Sequence, residues 1–260
     1  MKGLLVLLFC AAALAVVSAQ STFYVDGTNG NDNNDGTSDS PFKTIGKAIN
    51  TAGGRNVLDT TIAVRPGTYS GVDNSGLEVS QTTNTAINKL TFKNDGGDDV
   101  IIDGSGINTP FLSCSDNDYL EVTISEFSFQ NFQSSHSILD FAGISKAFLN
   151  LVTVHNSGAG NNGNFSAVNV HYCDYLSIEN SRFSEIESGG MGSALHVEDT
   201  PGDILQTLFL DNTANKGDGG AVWLKHSRDF PQFTQCNFTN NRATQGGMLC
   251  CSFSFSPSFL

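Results

Sequence analysis

Basic residues are scarce in this sequence. Lys and Arg total 13 against 26 Asp and Glu, a formal net charge of −13. Nucleic-acid binding needs a basic face to neutralise phosphates, so the composition argues against it. It argues equally against attachment to an anionic membrane surface. Charged residues of both signs reach only 15%, too few for long solvated helices. Gly, Asn, Ser and Thr are abundant instead, and they mark frequent turns. Tryptophan occurs once, at Trp223. Beyond the amino terminus no apolar run is long enough to span a bilayer, and the cysteine spacings match no zinc signature. What is present, at 39% hydrophobic, is enough for a core.

The amino terminus reads as an export signal over residues 1–19. Lys2 supplies the positive start, residues 4–17 form an apolar run, and Val17-Ser18-Ala19 places small residues before a cut at Gln20. The mature chain, residues 20–260, is expected to be one exported domain. Cys10 leaves with the signal, and Cys114, Cys173, Cys236, Cys250 and Cys251 remain. Pairings cannot be read from sequence. Buried single thiols are the favoured reading for Cys173 and Cys236, and adjacent Cys250 and Cys251 point to opposite faces of a strand. Asn164-Phe165-Ser166 and Asn237-Phe238-Thr239 are glycosylation sequons, at Asn164 and Asn237.

Residues 208–224 hold the clearest internal pattern: an apolar triplet, an Asn/Gly turn, two glycines and a second short strand. It returns from Arg182-Phe183 to residues 194–197, and from Asn237-Phe238 to Gly246-Gly247-Met248-Leu249. Aligning Val64, Phe92, Phe129, Val154, Phe183, Phe209 and Phe238 gives steps of about 25 to 29 residues, with one longer step from 92 to 129. Strand-rich units at that period predict an all-β fold, a parallel β-helix of roughly seven coils, each carrying about three short strands. Strands are expected at 22–25, 61–64, 89–92, 100–102, 119–124, 127–129, 147–154, 175–178, 204–210 and 230–238. One helix is expected, capped by Ser40, with Pro41 in its first turn. Its apolar face is Phe42, Ile45, Ala48, Ile49 and Ala52, and Gly53-Gly54 stops it. Such a lone helix before a run of strands acts as a cap over the open core end. In the loop before it, Asn31, Asn33, Asp35 and Gly36 imitate the start of a calcium loop. Phe42 stands where a bidentate Glu is needed, so solvated Asx turns are the plainer reading and no cofactor is assigned.

Two regions then resemble a known family. The ordered series Phe23-Tyr24-Val25-Asp26-Gly27, Asn31-Asp32, Asp35-Gly36-Thr37-Ser38, Pro41-Phe42-Lys43-Thr44-Ile45, Ala48-Ile49 and Val64-Arg65-Pro66-Gly67-Thr68-Tyr69 resembles the entry of right-handed parallel β-helix proteins of the pectin-lyase-like superfamily. The later Phe-x-x-Asn and Gly-Gly-Ala units are similar to polymorphic outer-membrane-protein repeats. The resemblance implies a right-handed β-helix, export and contact with polysaccharide. It does not imply an activity, because such a fold hosts lyases, hydrolases, adhesins and structural proteins. The Gly-His-Gly and Arg-x-Lys groups of polygalacturonase-like members are missing here.

Stacking makes a local site. With Ala167, Ala194 and Ala221 in register, period-two alternation turns Val168/Val170, Leu195/Val197 and Val222/Leu224 inward. Two outward columns follow, Asn169–His196–Trp223 and His171–Glu198–Lys225, with Asp140 expected to extend the second. An exposed indole beside His, Glu and Lys suits a sugar chain; ordinary solvated ladders are the plainer alternative. The reading is a secreted, non-catalytic β-helix that binds extracellular polysaccharide or acts in surface adhesion. A polysaccharide lyase or glycoside hydrolase, and a purely structural repeat, stand as alternatives. No cap is visible after Cys251; either the tail from Ser252 folds over as a crude cap or, the favoured reading, the chain is part of a longer β-helix.

Overall fold

The computed structural model describes residues 21–158, 163, 165–226, 230–245, 247 and 249–253. The expected export signal, Asn164 of the first sequon, residues 227–229 and residues 254–260 lie outside the described residues.

Every ladder between described strands is parallel, and the chain winds through them as a right-handed coil. Each turn visits three faces. Face one stacks Ser21–Val25, Asp59–Val64, Lys89–Asn94, residues 121–125 and 146–150, Tyr175–Glu179, Gly202–Leu205 and Gln232–Thr234. Face two begins with Gly67–Ser70, Val100–Asp103 and Phe127–Gln130, and ends with Leu208–Leu210 and Asn237–Thr239. Face three stacks Leu77–Ser80, residues 112–115 and 139–142, Val168–His171, Leu195–Glu198, Val222–His226 and Leu249–Phe253. The parallel β-helix expected from the repeat and from the amino-terminal resemblance is therefore the fold.

The aligned positions need one correction. Phe129, Val154, Phe183, Phe209 and Phe238 do form a column on face two, continued backward by Ile102 and Tyr69. Val64 and Phe92 belong to face one, where Val64 pairs with Asn94 and Phe92 with Ile62. The long step from 92 to 129 arose from comparing two different faces. Within the true column, aromatic rings stack: Phe183 and Phe209 at 5.5 Å, Phe209 and Phe238 at 4.7 Å, both near parallel.

The expected strands over 147–154, 204–210 and 230–238 are each broken by one residue in the left-handed region: Leu151, Gln206 and Gln235. These are corners from face one to face two, and Asn180 occupies the same corner in its coil. An L-residue with positive φ costs energy, and the next coil holds it: the Leu151, Asn180 and Gln206 amides donate to the Glu179, Leu205 and Thr234 carbonyls. Ser181 Oγ donates to the Glu179 carbonyl, Thr207 Oγ1 to that of Leu205 and Cys236 Sγ to that of Thr234. Cys236 thus fills a Ser/Thr position. Cys173 does the same at the corner from face three to face one, beside Thr200. The five cysteines among the described residues are free; Cys173 is buried and Cys236 half-buried. Cys250 and Cys251 pair with Trp223 and Leu224 respectively, on opposite sides of the sheet.

The helix is Ile45–Gly54, with Ile45, Ala48, Ile49 and Ala52 buried. Its cap is Thr44, not Ser40, because the preceding chain is held extended. Phe42 bridges Val25, and Asp32 accepts from the Lys43 and Thr44 amides and from Thr44 Oγ1. In the loop, Asn31 accepts from the Asn33 amide and Asp35 from Thr37, which are Asx turns. Among the described residues no group of three or more His, Cys, Asp or Glu gathers as for a metal.

Candidate functional site

Face three sets the expected columns in the expected register. Asn169 pairs with His196 and His196 with Trp223; His171 pairs with Glu198 and Glu198 with Lys225. Neighbours in such a column are about 4.8 Å apart along the solenoid axis. The inward partners Val168, Val170, Leu195, Val197, Val222 and Leu224 are all buried. Asp140 falls in the first column, opposite Asn169, and Ala142 takes the place beside His171. The offset is two residues: Asp140, expected in the His171 column, lies opposite Asn169.

Polar contacts tie the columns together. Asn169 Nδ2 donates to Asp140 Oδ1 at 2.8 Å, and His171 Nε2 lies 3.9 Å from the same oxygen. Lys225 Nζ donates to Glu198 Oε1 at 2.5 Å. Tyr172 Oη donates to that same Glu198 oxygen at 3.2 Å. The Glu198 hydrogen bond and charge hold the Lys225 ammonium above its ordinary range. The same negative charge raises the Tyr172 phenol. Glu198 is therefore the hub of the second column, flanked by a cation and a phenol.

Two features depart from expectation. Trp223 faces outward by register, yet it is only 6% exposed. A bulky outward ring in a parallel stack has a neighbour above and below. His196 meets the indole edge-on at 4.4 Å, and Cys250 is its partner in the next coil. The chain at Gly192 also passes so close that a Cβ there would stand 2.9 Å from Trp223 Cβ. The indole packs the column and is not an open platform. The exposed aromatic is Tyr172, 59% exposed, at the corner just after His171 and in the left-handed region. Strand alternation ends at such a corner, so a column drawn only from alternating residues passes it by. The signal was its place next to His171, at the corner position that Gly143 and Asp199 take in neighbouring coils.

Burial drives the His196 imidazole down to about 4, against the opposing pull of Glu198. The folded chain then keeps His196 neutral while an unfolded chain protonates it below about pH 6.5. Stability tied to this group is complete above about pH 6.5 and falls as pH drops through the window to about 4. Urea unfolding at stepped pH should show this loss, of order 1–3 kcal/mol. The His196→Gln variant should lack that part of the slope; an unchanged slope would place the titration elsewhere.

Asn237 is exposed, and Thr239 Oγ1 donates to its Oδ1 at 3.1 Å. No helix among the described residues is long and apolar enough to cross a membrane.

The chain matches the family described as "Protein of unknown function (DUF1565)" over residues 28–76. No curated protein matches it. Among solved structures it is similar to a rhamnogalacturonan lyase, with 16% identity and a TM-score of 0.39, over 92% of this chain and 64% of that one. It is also similar to a GH136 lacto-N-biosidase from Eubacterium ramulus, with 10% identity and a TM-score of 0.41, over 88% of this chain and 57% of that one. The chain spans less than two thirds of the length of either structure. Both are distant likenesses, and the chemistry of face three is read from its own residues.

Proposed function

We propose that the protein is exported and binds an extracellular polysaccharide along the outward side of face three. The observation that carries this reading is the hub at Glu198. One carboxylate receives a lysine and a tyrosine, and the tyrosine ring is exposed at the edge of a flat sheet. Sugar rings offer hydroxyls to such charged groups and a C–H face to such a ring. His171 and Asp140 extend the polar surface by two coils. Asn169 and His196 set the spacing beneath it, and Trp223 stiffens the column. An accessible Asn237 makes the surface of face two a candidate for glycosylation.

Cleavage on the same face is the second and weaker reading. Asp140 and Glu198 stand two coils apart and in different columns, offset by two residues along the strand direction. That is about 10 Å along the axis and about 7 Å across it, roughly 12 Å between backbone positions, wider than the carboxylate pairs of inverting or retaining glycoside hydrolysis. β-Elimination by Lys225 fits less well. A base must be neutral to accept a proton, and Glu198 holds Lys225 protonated.

The test is a panel of plant, bacterial and animal polysaccharides offered to the secreted protein, with assays for new reducing ends and for unsaturated uronates. Binding without products is the expected result. New reducing ends that vanish in Glu198→Gln would establish hydrolysis instead. Failure to bind any polysaccharide would remove both readings and leave a structural repeat.

A further inference from the structure

We propose a second, separate ligand site: a pocket of about 410 Å³ between the cap helix and the first coil, built for a neutral or amine-bearing sugar unit. It is lined from the helix by Lys47 and Asn50, and from the first coil by Asp73, Leu77 and Glu78. This inference does not rest on the reading of face three.

The walls are held at both ends. At one end Gly46 lets the helix approach the first coil: a Cβ there would stand 2.7 Å from the Asp73 carbonyl oxygen. Ile45 N also donates to Asn74 Oδ1 at 3.0 Å. At the other end a Cβ on Gly53 would stand 2.0 Å from Asn84 Oδ1, while Asn84 Nδ2 donates to the Glu78 carbonyl. Between these two contacts the helix and coil cannot close, and the gap persists as a cavity. Its size falls in the range of small-ligand sites.

The lining decides the ligand class. Ile49 and Leu77, both buried, give an apolar floor, and Val72 stands 76% exposed at the rim. Asp73 and Glu78 are exposed carboxylates of the lining, which holds one cation, Lys47, and Glu78 Oε1 accepts from Ser80 Oγ at 3.2 Å. Asp32, the third carboxylate of the lining, is occupied by the Lys43 and Thr44 amides and the Thr44 hydroxyl. Carboxylates accept from hydroxyl and ammonium groups and repel other carboxylates. A pyranose with an apolar C–H face and donating substituents fits; a uronate meets excess negative charge.

Isothermal titration calorimetry with three disaccharides tests this: the glucosamine dimer, cellobiose and digalacturonate. The expected order of affinity is amine-bearing, then neutral, then uronate, with digalacturonate at least tenfold weaker than the glucosamine dimer. Glu78→Gln should weaken glucosamine-dimer binding about tenfold, the loss of one charge-assisted hydrogen bond. Asn50→Trp, which fills the mouth from an exposed helix position, should abolish binding while leaving the thermal unfolding midpoint in place. Glu198→Gln on face three should leave this binding unchanged. The proposal is overturned if none of the three binds, if digalacturonate binds as tightly as the amine, if Asn50→Trp binds normally, or if Glu198→Gln removes the binding.

Discussion

Replacing Phe209 by alanine is expected to lower the unfolding free energy by about 3–5 kcal/mol, the range for a fully buried phenylalanine. Its ring is fully buried in the middle of the face-two column, between Phe183 and Phe238. Deleting it opens a cavity and removes two near-parallel ring contacts. The coils above and below have no other partner for those faces, since each coil of a solenoid contacts only its neighbours. The unfolding midpoint should fall by about 10 °C, taking roughly 2–4 °C per kcal/mol for a chain of this size. Differential scanning calorimetry reads this directly. A loss under about 1 kcal/mol, near that of an ordinary surface substitution, would mean that the column is not the continuous core described above.

The second large effect is on binding. Glu198→Gln is expected to reduce polysaccharide affinity about tenfold, and Tyr172→Ala by a similar factor, each losing about one charged or stacking contact. Together they should lose less than the product of the two factors. The phenol and the carboxylate share a hydrogen bond, and groups in one network are not additive. Trp223→Ala should behave differently. Its indole is buried against His196, so its main cost falls on stability, about 3–5 kcal/mol. Surface plasmon resonance on immobilised polysaccharide, run beside thermal unfolding, separates the two classes. Variants at 172 and 198 that bind normally would move the site off face three.

Much of this architecture was legible in the residues. Val168, Leu195 and Val222 announce an inward column because each follows an alanine and opens a period-two apolar alternation, with Val170, Val197 and Leu224 next. The columns built on them have the expected pairing. The helix was legible from Ile45, Ala48, Ile49 and Ala52, while its start was not. Asp32 decides where the helix begins, and it lies more than ten residues upstream. The corners were hidden for a related reason. Leu151, Gln206 and Gln235 carry no turn signature, and their left-handed backbone is enforced by the coil above and below. Periodicity reports which side of a strand a residue takes, but not how much its neighbours cover it. Hence Trp223 was placed on the correct side and given the wrong exposure. Tyr172 was missed because it sits where the alternation stops. Asp140 was misplaced by two residues along its strand, since only the hydrogen-bonded register distinguishes Asn169 from His171 as its partner.

The most direct test of the account is amide hydrogen exchange of the protein, with and without a polysaccharide found to bind it. Bound sugar on face three should slow exchange in residues 168–172, 195–199 and 222–225, leaving the face-two strands Leu208–Leu210 and Asn237–Thr239 unchanged. Protection confined to face two, or spread evenly over all three faces, would contradict the assignment of the binding surface.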